Sequence, residues 1–361
     1  MDKKIFHIVE SIKFESGGLR TVITDLDNYL NDDSHFDSNI LTFGKEKHDK
    51  YLEFDLDFPK TWNYSKVYST YIENIDKESI LHLHGVWMYP QYKASKTALT
   101  KNSPYVVSSH GMLQDYLFKQ GWLKKSLYHK FILDKILKNA TVLHAITKTE
   151  RDILYKLSNG NKNIVEIPNL FHFNKIPHLT EYNPEDEYLL FLGRFHVVKG
   201  IKLLLDAFNK IDNKKIKLIL IGPPSEYKTE MQEYAKKIGI DKRLVFKEFV
   251  TGKEKYELFK NAKAFVAPSY SEVIGMVNLE AAACKAPVIT TFNTGINPEW
   301  NTNGGIMIKP DVEELITALN QAVSWDITER LERGKQMADY VLQNYSWEQK
   351  GILWEQLYDS L

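Results

Sequence analysis

The sequence predicts an α/β protein built from two doubly wound domains in series. Short apolar runs alternate with amphipathic helical segments along the chain, and a polar, proline-containing stretch at residues 173–187 interrupts the alternation. Short apolar runs of this kind are typical of parallel strands that are covered on both faces. The chain has 361 residues, more than one hydrophobic core usually covers, which also favours two domains.

The first predicted domain spans residues 1–172, and residues 173–187 form a linker. The strands of the first domain are predicted at KIFHIVE, SNILTF, SILHLHG, PYVVSSH, TVLHAIT and NIVEIPN. The second domain spans residues 188–345, with strands at EYLLFLGRF, IKLILIGPP, RLVFKEFV, KAFVAPS, PVITT and GIMIKP. The aromatic tail, residues 346–361, is predicted to form a helix that packs back on the first domain. Ligands of such sheets bind beyond the C-terminal ends of the strands.

Composition excludes several classes of protein. Lysine plus arginine equals aspartate plus glutamate, at 47 each, so no overall charge attracts nucleic acid. Cys284 is the only cysteine, which rules out an intrachain disulfide and fits a reducing cytoplasm. No apolar run approaches the roughly 20 residues of a membrane span. The opening MDKKIFHIVES predicts a first strand rather than a signal segment. We therefore expect a cytoplasmic protein.

Two carboxylates flank a glycine in the segment SYSEVIGMVNLEAAACK. Glu272 follows the strand KAFVAPS, and Glu280 lies in a helix predicted to begin near Gly275. A helix N-terminus exposes N–H groups and positive partial charge, and glycine lets a ligand approach the backbone. This arrangement suits a ligand with phosphate in the middle and hydroxyl groups at both ends. The alternative is that Glu272 caps the helix and Glu280 is solvated.

Two cations follow another predicted strand. The segment FLGRFHVVKG places Arg194 and Lys199 between Gly193 and Gly200. Charge-assisted hydrogen bonds from two such cations can clamp a diphosphate. The alternative is an exposed pair of cations at a helix start, which the helix dipole disfavours. The phosphate-loop patterns GxGxxG and GxxxxGK[ST] are both absent from the sequence.

In combination, these motifs resemble the retaining nucleotide-sugar glycosyltransferases of the GT4 family. The similar segments are SGGLRTV with Ser16 and the glycines after it, IPN ending at Asn169, GRFHVVKG, and the Glu272-x7-Glu280 motif followed by EAAACKAPVI. The resemblance covers nearly the whole chain and implies a GT-B fold, in which two Rossmann-like domains face a central cleft. The family usually has phenylalanine before the glycine of the acidic motif, where this chain has Ile274. That position is apolar in both cases.

The resemblance also implies roles for individual residues. Arg194 and Lys199 would bind the donor diphosphate and stabilise the leaving nucleotide. Glu272 would hold sugar hydroxyls, and Glu280 would accept hydrogen bonds from ribose. The resemblance implies further donor contacts at Gly17, Gly18, Val250, Thr251, Gly275, Met276 and Val277. It requires no metal and no cofactor, and the donor is a nucleotide-diphosphate sugar such as a UDP-sugar or GDP-mannose.

A histidine in PYVVSSHGML extends the predicted site into the first domain. The resemblance implies that His110 contacts the donor sugar and counts it among the catalytic residues with Arg194, Lys199 and Glu272. His84, Trp87 and His110 itself are predicted on the acceptor side. One alternative is that His110 is structural. Another is a metal site formed by His82, His84 and His110.

The predicted function is retaining transfer of a sugar from a nucleotide-diphosphate sugar to a glycan or polyprenyl-linked acceptor. The predicted setting is assembly of a bacterial surface polysaccharide such as capsule, O-antigen or exopolysaccharide. Residues 117–139, rich in lysine and aromatic residues, could dock on the inner face of the cytoplasmic membrane, or form a solvated helical face. The competing functions are a nucleotide-sugar epimerase or hydrolase of GT-B fold, and a non-catalytic two-lobed sugar-binding protein.

Overall fold

The computed structural model describes residues 3–13, 17–44, 50–113, 128–183 and 187–361. The chain divides into two compact units. The first comprises Met1–Asn169 together with Gly351–Leu361, and the second comprises Leu170–Lys350. The first unit is therefore assembled from two stretches of the chain that flank the second unit.

The described part of the first unit contains a seven-stranded parallel sheet in the order β3-β2-β1-β4-β5-β6-β7. The strands are β1 Lys3–Ile8, β2 Phe36–Phe43, β3 Leu52–Phe54, β4 Ile80–His84, β5 Tyr105–Ser108, β6 Val142–Ala145 and β7 Ile164–Glu166. The helices are α1 Gly18–Asp32, α2 Lys66–Glu73, α3 Tyr89–Lys101, α4 Asp134–Lys138, α5 Lys148–Leu157 and, from the C-terminal tail, α13 Ile352–Asp359, with a π-helical turn at His129–Leu133. The strand order reverses between β1 and β4, which makes that edge a topological switch point.

The described part of the second unit contains a six-stranded parallel sheet in the order β10-β9-β8-β11-β12-β13. The strands are β8 Tyr188–Leu192, β9 Lys217–Ile221, β10 Leu244–Lys247, β11 Ala264–Ala267, β12 Val288–Thr291 and β13 Ile306–Ile308. The helices are α6 Ile201–Lys210, α7 Glu226–Lys237, α8 Gly252–Asn261, α9 Met276–Ala283, α10 Val312–Ser324, α11 Ile327–Tyr345 and α12 Trp347–Lys350. The order reverses between β8 and β11.

Each sheet is buried by aliphatic side chains from its own helices. In the second unit, α6 places Leu204 and Phe208 against Leu218 of β9, and all three side chains are fully buried. In the first unit, Ile8 of β1 and Leu83 of β4 are buried with Ala94 of α3. These apolar layers leave the polar groups at the strand ends, where the candidate sites lie.

The segment predicted as a linker packs against the second unit. The N–H and Oγ1 of Thr180 donate to the Glu257 carboxylate at 3.0 and 2.7 Å. The Arg330 guanidinium lies 4.0 Å from the ring centre of Tyr182. The polarity that suggested an independent linker instead supplies hydrogen bonds to α8 and a cation–π contact to α11, so the described part of residues 173–187 belongs to the second unit.

The predicted tail helix is divided at Gly351 into α12 and α13. The Trp347 ring of α12 stacks on His172 within the second unit, at 5.4 Å between ring centres. The α13 segment belongs to the first unit, where Glu355 accepts a hydrogen bond from the Tyr29 hydroxyl at 2.5 Å. No helix in the described part of the chain is both long and apolar enough to cross a membrane.

Candidate functional site

Three loops of the second unit are joined beyond its switch point. The N–H of Tyr270, after β11, donates to the Val198 carbonyl in the loop after β8, at 2.8 Å. The N–H of Glu272 donates to the Asn293 carbonyl after β12, at 3.0 Å. Gly200 has a φ of 68°, and a Cβ there would lie 2.1 Å from the Pro268 carbonyl oxygen. Only glycine fits this crossing of the loops.

Lys199 and Glu272 form an ion pair at this junction. The Lys199 Nζ donates to Glu272 Oε1, and the Ser269 hydroxyl donates to Glu272 Oε2 at 3.2 Å. The two charged side chains are only 19% and 17% exposed. A carboxylate accepts about four hydrogen bonds and an ammonium donates three, so both groups retain capacity for a ligand.

Glu280 is paired with a lysine that the sequence reasoning missed. The Lys255 Nζ of α8 lies 2.8 Å from Glu280 Oε1 of α9, and the side chains are 17% and 14% exposed. Glu280 is therefore not the solvated residue of the alternative interpretation. No local pattern signalled Lys255, because its partner lies 25 positions away on another helix.

The start of α9 lies directly beside Glu272. Gly275 is the N-cap residue and makes no side-chain capping bond, and α9 carries no acidic residue in its first turn. A Cβ on Gly275 would lie 2.8 Å from Glu272 Oε2 and 2.9 Å from Asn278 Nδ2. Within the described residues, both polar side-chain atoms of the buried Asn278 lack a partner. The N–H groups at Met276 and Val277 begin the helix and have no intrahelical acceptor.

Arg194 and the pair Val250–Thr251 follow β8 and β10 at the same edge of this sheet. Arg194 is exposed on the loop that carries Lys199, and no ion-pair partner for it occurs among the residues described. Val250 is buried, and the exposed Thr251 is the N-cap residue of α8, the helix that carries Lys255. The second unit thus brings cations, two carboxylates and a helix N-terminus to one edge of its sheet. This set can bind a ligand that is both anionic and rich in hydroxyls.

In the first unit, the predicted glycine loop begins a helix. Gly17 is the N-cap residue of α1 at φ 58° and ψ −128°, a conformation that essentially only glycine adopts, and Gly18 is the first helical residue. The first turn of α1 contains no acidic residue, which leaves the helix N-terminus open to an anion. Ser16 lies outside the described residues.

His110 lies just beyond β5 in a left-handed conformation, at φ 48°. Its Nε2 is 2.8 Å from Nδ1 of His84, and Nε2 of His84 is 2.9 Å from Nδ1 of His7. The indole N–H of Trp87 donates to the Met112 carbonyl at 3.2 Å. The three residues predicted on the acceptor side, His84, Trp87 and His110, therefore lie together at the ends of β4 and β5.

A second row of polar groups lies beside the first. His144 Nε2 faces the Ile167 carbonyl at 2.8 Å and must donate, so its Nδ1 accepts from Ser108 at 2.6 Å. Ser108 in turn accepts from His82 Nε2 at 2.7 Å, and His82 Nδ1 accepts from the Tyr358 hydroxyl at 2.7 Å. The sheet register pairs Ser108 with His144 of β6 and with His84 of β4, and His82 lies two residues before His84 on the same face of β4, within reach of Ser108.

Burial keeps these histidines neutral. It lowers the pKa of His7 and of His110 to about 3 and that of His144 to about 4. It also lowers the pKa of His82 and His84, and neighbouring histidines contribute further. A neutral imidazole has one donor nitrogen and one acceptor nitrogen, so the hydrogen bonds within each row all point the same way.

The metal alternative involves a different trio from the predicted one. His7, His82 and His84 each offer a ring nitrogen, and these atoms lie within 4.8 Å of one another, whereas His110 faces His84 from outside this group. Imidazole nitrogens are common zinc ligands. Both nitrogens of His82 already hydrogen-bond, to Tyr358 and Ser108, so a metal would have to displace one of them.

A small cavity opens at the switch point of the first unit. Its volume is about 160 Å³, and the lining residues are Val9, Glu10, Ser11, Leu19, His84 and Met112. Burial raises the pKa of Glu10. A partly buried carboxyl beside an imidazole offers hydrogen bonds to a hydroxyl-bearing molecule.

The proposed membrane-docking segment lies mostly outside the described residues, since the structure describes only residues 128–139 of it. These form the π-helical turn, in which the side chain of Phe131 is 60% exposed, and α4. Docking of residues 117–139 therefore stays a prediction.

Residues 174–340 match the family described as "Glycosyl transferases group 1". Similar curated proteins include an uncharacterised glycosyltransferase of Methanocaldococcus jannaschii, 26% identical over 167 residues, which covers 45% of this chain and 42% of that protein. Alpha-monoglucosyldiacylglycerol synthase of Streptococcus pneumoniae is 24% identical over 257 residues, which covers 66% of this chain and 56% of the synthase. The chain thus spans about half the length of these relatives.

Among solved structures, Anabaena HepE in complex with UDP and glucose superposes with a TM-score of 0.78. The identity is 16%, and the match covers 99% of this chain and 100% of HepE. At this identity the likeness concerns the fold alone. The two units, each with a doubly wound parallel sheet, therefore have the GT-B architecture, as the sequence predicted.

Proposed function

We propose that this GT-B protein, whose residues 174–340 match the group 1 glycosyl transferases, moves a sugar from a nucleotide-diphosphate sugar to a hydroxyl-bearing acceptor. The observation that carries the proposal is the junction at the start of α9. There, Lys199 is bonded to Glu272, and Glu272 lies against the Gly275 backbone. Such a junction presents positive charge, N–H donors and hydroxyl acceptors within one nucleotide-sugar length.

In this proposal the donor diphosphate is bound by Arg194, Lys199 and the N–H groups that begin α9. Glu272 keeps its bond to Lys199 and accepts hydrogen bonds from the hydroxyls of the transferred sugar. Glu280 does the same for ribose while Lys255 holds its other oxygen. Further donor contacts are assigned to Gly17, Gly18, Val250, Thr251, Met276 and Val277. A ligand at Gly275 would also give the buried Asn278 amide a neighbour with which to hydrogen-bond.

The chemistry follows from where charge develops. The bond between the anomeric carbon and the diphosphate oxygen breaks, and its electron pair stays on that oxygen. Lys199, Arg194 and the α9 N-terminus stabilise the growing negative charge. The acceptor oxygen forms the new bond to the anomeric carbon, and its proton passes to the leaving phosphate. Because its motifs resemble those of the retaining GT4 enzymes, we propose this route, with retention, for the present protein, and we propose that His110 contacts the sugar. In this route the cations stabilise the diphosphate charge that a metal ion stabilises in other glycosyltransferases.

The acceptor site is assigned to the first unit. The cavity beside Glu10 and His84 suits a sugar hydroxyl, and its size admits one hydroxyl-bearing group rather than a chain. A relative acts as alpha-monoglucosyldiacylglycerol synthase, a name that indicates a lipid-linked product. We therefore propose a glycan or a polyprenyl-linked sugar as acceptor, in the assembly of a bacterial surface polysaccharide.

The test is a panel of nucleotide sugars, UDP- and GDP-linked, screened by thermal shift and then by product analysis. A donor at 100 times its Kd should stabilise the protein by about 2.7 kcal/mol. Adding candidate acceptors should then release the free nucleoside diphosphate and yield a product that retains the donor's anomeric configuration, read by NMR coupling constants. If none of the nucleotide sugars in the panel stabilised the protein, the proposal would be overturned.

The competing functions give different products in the same assay. An epimerase or hydrolase would turn over the donor at the same rate with and without acceptor. A binding protein would be stabilised by a nucleotide sugar and release no nucleotide. Lys210→Met removes an equally charged but exposed lysine, paired with Glu313 at 3.3 Å, and serves as the control for changes of charge.

A further inference from the structure

We propose that His7, His84 and Glu150 position His110, so that His110 presents an Nδ1–H donor in one fixed orientation. The inference rests on the proposed function only for the use to which that donor is put, namely contact with the transferred sugar. The arrangement itself lies wholly within the first unit.

The backbone at His110 is held in an unfavourable conformation. His110 has φ 48° and Gly111 has φ 76°, so two consecutive residues lie in the left-handed region. A histidine is uncommon there, and such conformations persist only where neighbouring groups hold them. The structure therefore needs a restraint on both sides of His110.

Glu150 supplies that restraint from the start of α5. Its Oε1 accepts from the Ser109 hydroxyl at 2.5 Å and from the Gly111 N–H at 2.7 Å, the residues before and after His110. Its Oε2 accepts from the Ile146 N–H at 2.8 Å, which ties the same carboxylate to the end of β6. Glu150 is 2% exposed. A buried carboxylate with three donors is a rigid anchor, and these charge-assisted bonds are strong ones.

The ring of His110 is oriented by the buried histidine pair. The chain of contacts runs from His110 Nε2 to His84 Nδ1 and from His84 Nε2 to His7 Nδ1, at 2.8 and 2.9 Å. It ends at His7 Nε2, which is buried and has no partner among the described residues. Two proton directions are therefore conceivable along this row.

The free end of the row selects between them. If His110 donated to His84, and His84 to His7, then His7 would carry its proton on Nε2, as a buried N–H without an acceptor. Buried N–H groups without an acceptor are rarer in folded proteins than buried acceptors without a donor. The favoured direction runs from His7 to His84 to His110. His110 Nε2 then accepts, and its own proton lies on Nδ1.

The consequence is a neutral donor of fixed direction. Burial lowers the pKa of all three rings, so none of them adds a charge at neutral pH. An Nδ1–H group can donate to a hydroxyl or phosphate oxygen and cannot accept from one. His84 and Glu150 thus act through His110 and do not themselves need to touch the donor.

The first test reads the tautomer directly in the full-length wild-type protein. Histidine ring nitrogens are observed by long-range ¹H–¹⁵N NMR in the presence of EDTA, with His110→Gln used to assign the signal. We expect a protonated Nδ1 and an unprotonated Nε2 at His110 at pH 7. A protonated Nε2 would overturn the proposal, and the experiment needs no destabilising substitution.

The second test separates positioning from stability. Glu150→Gln places an amide N–H against a backbone donor and should lower kcat about 10- to 100-fold while the donor thermal shift persists. His84→Leu should release His110 toward the Nε2–H form that free imidazole favours. His144→Gln, at the second histidine row, is the matched control and should leave the His110 tautomer unchanged. A shifted tautomer in that control, or wild-type kcat in Glu150→Gln, would contradict the proposal.

The two proposals fail in different ways. Full transfer by His110→Ala would remove the assigned role of His110 but leave the tautomer result standing. A protonated Nε2 in a protein that needs His110 for transfer would refute the positioning inference alone.

Discussion

The two units follow the same strand order around their switch points, yet different side chains occupy them. In the first unit the reversal between β1 and β4 is lined by neutral histidines in hydrogen-bonded rows. In the second unit the reversal between β8 and β11 is lined by Lys199 and Glu272, with Lys255 and Glu280 behind them. The strand order therefore determines where polar groups converge. The side chains at that place determine whether the site offers neutral hydrogen-bond donors, as in the first unit, or charged groups, as in the second.

The largest expected difference between the units is their response to acid. For a buried histidine whose folded pKa is depressed, the unfolded state binds more protons than the folded state as the pH falls below the ordinary histidine pKa of 6.5. Stability is therefore full above that pH and is lost as the pH falls toward the folded pKa of about 3 for His7 and about 4 for His144. Between pH 6.5 and 4.5, each of these two histidines should lower the free energy of unfolding by on the order of 2 kcal/mol.

Hydrogen exchange measured as a function of pH can test this comparison. Peptides from β1, β4 and β6 should lose protection between pH 6.5 and 4.5 before peptides from β8 and β9. Simultaneous loss of protection in both units, or first in the second, would contradict the contrast between the two switch points.

The next largest effect is expected from Lys199→Met in the second unit. The substitution leaves Glu272 with an unpaired charge and removes a cation from the leaving diphosphate. Transfer should fall about 10²- to 10³-fold in kcat. Steady-state kinetics measure the loss, with Lys210→Met as the control. Equal activity in the two variants would remove Lys199 from the site.

A smaller loss is expected from Glu280→Gln, because the amide keeps the shape and one acceptor oxygen. We expect donor KM to rise about tenfold, as for the loss of a charge-assisted hydrogen bond. A double-mutant cycle with Lys255→Met measures the coupling of this pair. If the two effects were strictly additive, the ion pair would not contribute to donor binding.

Gly275→Ala tests the same site by adding a methyl group beside Glu272. The φ of −74° suits alanine, but its Cβ would lie 2.8 Å from Glu272 Oε2. Glu272 must move away, so donor affinity should fall several-fold while the melting temperature changes little. Donor titration by calorimetry measures the change. Unaltered affinity would show that the Glu272 carboxylate is not held against the ligand.

The smallest effect is expected from Tyr358→Phe in the first unit. It removes the hydroxyl that donates to His82 Nδ1 at 2.7 Å and leaves an acceptor without a donor. Stability should fall by about 1 kcal/mol, with transfer unchanged. Chemical denaturation reports the first quantity. A large loss of transfer would connect the second histidine row to catalysis, which the separate hydrogen-bond rows do not support.

Much of the fold was predictable because parallel strands carry a local signal. Each apolar run contains a strand, and only Leu52–Phe54, a three-residue strand at the sheet edge, was missed. The segment predicted as a linker packs on the second unit because polar residues such as Thr180 hydrogen-bond to α8. Local sequence cannot distinguish a solvated polar segment from one that hydrogen-bonds to a distant helix.

The site was predictable in part for the same reason. Arg194, Lys199, Glu272 and Gly275 follow strands, so the sequence predicted their edge of the sheet. Lys255 and Glu150 escaped notice because their partners lie 25 and about 40 positions away. The sequence revealed His82 and His84 by their alternation, but it could not reveal that His7 on a neighbouring strand completes the row.

The return of α13 to the first unit affects how the protein is made. Trp354 and Tyr358 cover His144 and His82, so the histidine face of the N-terminal sheet is completed by residues that the ribosome adds after the second unit. Domains encoded without interruption can fold during synthesis, N-terminal part first. Here the earlier-made sheet must wait, incompletely covered, while the whole second unit emerges and folds. Chaperone dependence during translation should therefore fall on the N-terminal half of the chain.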